Sequence, residues 1–122
     1  MIGASMETPT KPAIETLVSD GIAAYGRGDH LGAHESFEHA WLQSGSPRSL
    51  ELHALAQLAA AVHKHIASHK PDAARAIMAR ARTKLGAIEG SAYAIDLERL
   101  RREVDAWLDG SGSTPPALVR EG

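Results

Sequence analysis

Apolar side chains recur at spacings of three and four along most of the chain, the signature of helices that bury one face. Ile14, Leu17, Val18, Ile22 and Tyr25 outline a first helix from Pro12 to about Arg27, ended by Gly26 and Gly28. Asp29 suits the N-cap of a second helix, from about His30 to Gln43. The stretch "SGSPRS" is a link in which Ser46 can cap and Pro47 can take the first position of a third helix. That helix, about 47–69, is the longest and most apolar. Lys70-Pro71 restarts the chain as a fourth helix to about Leu85, and Gly86 to Gly90 form the next link. A fifth helix over about 92–109 carries Leu97, Leu100, Val104, Trp107 and Leu108. Nowhere does a two-residue alternation compete with the helical period, so no strand is expected.

The pattern predicts an all-α fold: a compact bundle of about five helices, built from two helical hairpins plus a C-terminal helix. Residues 1–10 read as a flexible lead, 11–109 as a single helical domain, and the Gly-, Ser- and Pro-rich 110–122 as a disordered tail. A weak repeat at a shift of 41 aligns Ala33, Ala40 and Gly45 with Ala74, Ala81 and Gly86, which fits two hairpins of similar design. Trp107 and Leu108, with Leu100, form an apolar strip that either closes the bundle or serves a homodimer.

Composition supports helix over sheet, with one Phe, two Trp and two Tyr in 122 residues. The absence of cysteine excludes disulfides, zinc–thiolate centres, iron–sulfur clusters and cysteine nucleophiles. Net charge is −2 but uneven: residues 1–69 hold 4 basic and 7 acidic side chains, residues 70–103 hold 8 and 5. The basic part (Arg75, Arg80, Arg82, Lys84, Arg99, Arg101, Arg102) lacks interleaved aromatics, so it reads as a solvated helix surface and no nucleic-acid partner is expected. No charged-then-apolar leader and no run of about 20 apolar residues is present. A cytoplasmic protein without a membrane partner is the expectation.

The candidate chemistry sits in "AHESFEHAW", residues 33–41. At about 100° per residue, with His34 at zero, Glu38 lies near 40°, Trp41 near 340°, Leu31 near 60°, Leu42 near 80° and Phe37 near 300°. The apolar arc then centres near 340°, and His34 and Glu38 fall inside it as a buried pair. Glu35 and His39 lie at or beyond the rim. On the third helix, Leu55, Leu58, Ala59, Val62 and Ile66 make one apolar face, while Gln57, Ala60, Ala61 and Lys64 lie opposite, flanked by His53 and His63. Gln57 is placed to reach the His34–Glu38 pair across the helix interface.

His34, Glu38 and Trp41 form the motif His-x-x-x-Glu-x-x-Trp, within "GDHLGAHESFEHAW". The following helix carries "QLAAAVHK", with Gln57, Ala61 and His63. In these residues, over about 15–86, the chain resembles a bacterial family known as domain of unknown function 309. It departs from that family's usual Gly-Asn turn at "HKPDAA". The resemblance implies an all-helical domain with a polar cluster and no assigned activity.

Three readings of the cluster follow. In the first, His34, Glu38, Trp41 and Gln57 form a hydrogen-bonded network that fixes helix register. In the second, the same groups, with His63, line a site for a small ligand or a protein partner. In the third, His34 and Glu38 ligate a divalent metal, completed by His63, Gln57 or Glu35, in a hydrolytic enzyme with Glu35 as general base. The zincin spacing is missed, because position 38 is Glu rather than His, and no second Glu-x-x-His segment supports a di-iron centre. Ser36 faces away from His34, and no Gly-x-Ser-x-Gly elbow or phosphate-binding glycine loop exists. A structural or binding module is therefore the preferred reading. His65 and His69, four apart, mark the end of the third helix, where imidazolium favours the helix dipole.

Overall fold

The computed structural model describes residues 13–45, 49–110 and 114–121. The expected lead and the capping positions Ser46 and Pro47 lie outside them. Five helices follow one another: α1 (Ile14–Gly26), α2 (His30–Ser44), α3 (Ser49–Ile66), α4 (Pro71–Gly86) and α5 (Leu97–Leu108). Each packs on the next in sequence, with α3 central between α2 and α4. The only pairing of β type among the described residues is a single antiparallel bridge, Ile95 to Arg120.

Local chemistry sets the boundaries. Gly28 takes a positive φ of 86°, which turns the chain out of α1 at no steric cost. Asp29 then accepts the Gly32 N–H at 2.9 Å and caps α2. Alanines let the backbones approach: Ala33 and Ala40 on α2, Ala54, Ala56, Ala59 and Ala61 on α3, and Ala74 and Ala81 on α4 are all buried. Phe37, Leu52, Leu55, Leu58, Met78 and Leu85 fill the space between them.

Two arginines of the basic segment close helix ends. Arg101 donates to the carbonyl of Leu85 in the last turn of α4 and to that of Ile88 just past it. Arg75 donates to the Leu108 carbonyl at the end of α5. Both place a cation at the negative end of a helix dipole.

Two expectations need correction. α5 begins at Leu97, capped by Asp96, which accepts the Arg99 N–H at 3.1 Å. Residues 91–95 form a turn instead, because the Ser91 hydroxyl takes the N–H groups of Tyr93 and Ile95 away from a helical ladder. α3 stops at Ile66, and His69 lies past its end with φ 52°, so His65 and His69 do not share a helix face. Trp107, Leu108 and Leu100 are buried and close the bundle. Residues 114–121 lie against the bundle as a strap, with Pro116 fully buried and its carbonyl accepting the Tyr25 hydroxyl at 2.7 Å.

Candidate functional site

α2 lies along α3 with Ala33, Phe37 and Ala40 as its buried residues. Around the helix these centre about 70° from the arc expected from sequence. The His34 and Glu38 side chains are 28% and 49% exposed, so the pair sits at the seam rather than in the core. The physical reason is plain: Leu31 and Leu42, 46% and 70% exposed, do not define the core face, and two small alanines do.

At the seam, His34 Nδ1 lies 3.0 Å from the Ala56 carbonyl of α3. A carbonyl only accepts, so Nδ1 carries a proton and donates it to Ala56, and Nε2 is the ring nitrogen left facing the seam. Nε2 faces Glu38 Oε2 at 4.0 Å. One turn on, Trp41 stacks on His53 of α3, with centroids 4.1 Å apart and planes within 14°. The seam thus presents an imidazole nitrogen, a carboxylate and a flat aromatic platform.

The remaining sequence candidates scatter. Gln57 shares a strip of α3 with His53, Ala60 and Lys64, and its buried Oε1 has no hydrogen-bond partner among the described residues. It does not bond to the His34–Glu38 pair. His63 interacts with His30 at the other end of the α2–α3 interface. Glu35 is exposed. Among the described residues, no group of three or more His, Cys, Asp or Glu is placed to hold a metal ion.

His53 joins the platform although sequence reading left it on a flank. Burial, with Lys84 facing it from α4, lowers its pKa below the ordinary 6.5, and Glu38 opposes this. His30, edge-on to Tyr25, is lowered by burial and His63, with Asp29 opposing. A depressed folded pKa means that the unfolded chain takes up more protons as pH falls below 6.5. Stability is therefore expected to be full above pH 6.5 and to decline as pH falls through the folded values. His53→Gln should flatten that decline, which melting curves at neutral and mildly acid pH would show. An unchanged acid slope in the variant would contradict it.

One charged residue escaped the sequence reading altogether. Glu51, in the first turn of α3, is only 3% exposed. It accepts the Ser91 hydroxyl at 2.5 Å and the Ala92 N–H at 2.9 Å, anchoring the turn before α5. The available signal was its position on the face of Leu55, Leu58 and Val62, where an acid needs partners.

Residues 18–77 match the model of the family described as Domain of unknown function (DUF309), a stretch running from α1 into α4 and containing the whole seam. No curated protein matches the chain. Among the described residues, no helix is long and apolar enough to cross a membrane.

Proposed function

With residues 18–77 matching the DUF309 family, we propose that this chain is a binding module without a reaction of its own, whose α2–α3 seam receives a cationic, hydrogen-bond-donating group of a protein partner. The observation that carries this reading is the 3.0 Å approach of His34 Nδ1 to the Ala56 carbonyl. With the ring neutral, the Nδ1–H is committed to Ala56, which leaves Nε2 as an acceptor beside the half-exposed Glu38 carboxylate. The Trp41–His53 stack adds an electron-rich face next to those acceptors. A guanidinium or ammonium group matches all three.

An open seam suits a side chain better than an enclosed small molecule. None of five surface cavities is lined by His34, Glu38 or Trp41. The metal-dependent hydrolase built on His34 and Glu38, with Glu35 as base, needs a third ligand that the described residues do not bring to the pair.

The test uses N-acetyl-arginine methylamide as probe, titrated to about 10 mM into 15N-labelled protein, a range suited to a weak single-group contact. Shifts confined to residues 34–41 and 53–57, lost in Glu38→Gln and in Trp41→Ala, are the expected result. No perturbation, or the same perturbation in Glu38→Gln, would refute the reading. Zinc in place of the probe tests the alternative: saturable binding lost in both His34→Ala and Glu38→Gln would favour it.

A further inference from the structure

The strap of residues 114–121 lies on the bundle as a bound peptide lies on a receptor. Its backbone pairs with the turn before α5: Asp96 N–H donates to the Val119 carbonyl at 2.8 Å, and Glu121 N–H to the Ala94 carbonyl at 2.6 Å. Those bonds add a short antiparallel edge, the mode in which extended peptides augment a receptor's backbone. Ala117 N–H donates to Glu103 of α5 at 2.7 Å. Side chains supply selectivity on top of this. Pro116 is fully buried and held through its carbonyl by Tyr25, while Arg120 pairs with Glu15 at 2.6 Å and reaches Ser19 at 3.2 Å.

The groove is larger than its occupant. A cavity of about 410 Å³ remains between the strap and Tyr25, Gly28 and His30, so a segment with bulkier residues around its proline also fits. The receiving edge is itself unusual. Ala94, whose carbonyl accepts from Glu121, holds a left-handed φ of 61°, a conformation unfavourable for a non-glycine residue. Burial keeps the Tyr25 phenol well above the ordinary tyrosine range, so it remains a hydrogen-bond donor. The strap and α5 lie outside the family match, while Ser19 and Tyr25, which receive the strap, lie inside it.

We propose that the groove between α1, α5 and the 91–96 turn is a docking site for an extended segment of a partner protein carrying a proline and, four residues later, an arginine, and that the strap is its resident competitor. The occupant's chemistry is that of the strap: a proline under Tyr25, a backbone edge along 94–96 and a cation at Glu15. Intramolecular attachment gives the strap an effective concentration on the order of millimolar, so a partner segment gains entry when the strap's own contacts are weakened.

The test is a fluorescent peptide with the sequence of residues 113–122, added to the full-length chain and to full-length variants with a weakened strap. Arg120→Ala, which removes the rim contacts with Glu15 and Ser19, is expected to raise peptide affinity about threefold, the scale of an exposed ion pair. Adding Pro116→Gly should raise it at least about tenfold over the parent. A peptide carrying the Arg120→Ala change should bind less well to every form. Equal binding to parent and both variants would overturn the proposal, because the peptide would then be using another surface. If the double variant loses its cooperative melt, the Arg120→Ala chain decides alone, and no gain there overturns the proposal.

Discussion

Gly21→Ala is expected to destabilise the bundle by about 2 kcal/mol, although alanine is the better helix former by roughly 0.5–1 kcal/mol. A Cβ at Gly21 would lie 2.6 Å from Cε1 of Phe37 and 2.8 Å from Cδ1 and Cζ. Phe37 is fully buried, and its ring cannot swing aside as the end of a flexible chain would. The helices must separate, and the contact between α1 and α2 loosens along its length. Phe37→Leu alone should also destabilise, by opening a void over the Gly21 backbone. Combined, the two changes fit one another, and their coupling should exceed about 0.5 kcal/mol. Urea unfolding of the four chains measures it. A Gly21→Ala chain as stable as the parent, or a strictly additive cycle, would show that the ring is not seated on the glycine.

Nothing local in the sequence identifies Phe37 as the partner of Gly21. The same limit explains what was and was not legible elsewhere. Spacing alone placed all five helices, because each carries enough buried positions to outweigh its exposed ones. Caps at Asp29 and turns at Gly28 follow from one residue's own chemistry, and sequence reading located both. The face of α2 differs from the sequence expectation because Leu31 and Leu42 draw the apolar arc toward themselves yet are exposed, while the contact face depends on the small volume of Ala33 and Ala40. Size complementarity between helices is a property of two elements, and a hydrophobicity arc on one element does not contain it.

The seam shows a similar division. The i, i+4 relation of His34 and Glu38 and the nearness of Trp41 follow from helical geometry. The contact of His34 with Ala56 and the stacking of Trp41 on His53 depend on the register of α3, which sequence spacing left open by a turn. The strap is a different case. Gly, Ser and Pro without periodicity signal the lack of a self-standing element, and they do not report whether a groove awaits elsewhere. Tyr25, Glu103 and Glu15, which hold the strap, come from two helices far apart in sequence.

Glu51→Ala is expected to be the most damaging single polar substitution, at about 3 kcal/mol. The carboxylate is buried at the start of α3, where the helix dipole favours a negative charge, and each oxygen accepts one bond from the turn. Truncation strands the Ala92 N–H and frees the Ser91 hydroxyl, which in turn organises the N–H groups of Tyr93 and Ile95. The loss therefore propagates to the edge at 94–96 on which the strap is paired. Glu51→Gln keeps one acceptor and should cost about half as much, because its amide N–H₂ meets a donor already directed at it. Ser91→Ala should add little on top of Glu51→Ala, since both remove the same network. Urea unfolding gives the energies, and the cleavage rate after Arg120 by trypsin reports the strap. A Glu51→Ala chain within about 0.5 kcal/mol of the parent, a shift typical of a surface change, would mean that the turn holds itself. An Ala variant that is destabilised but keeps parental trypsin resistance would separate the turn from the strap, and the edge at 94–96 would then be set by α5 alone.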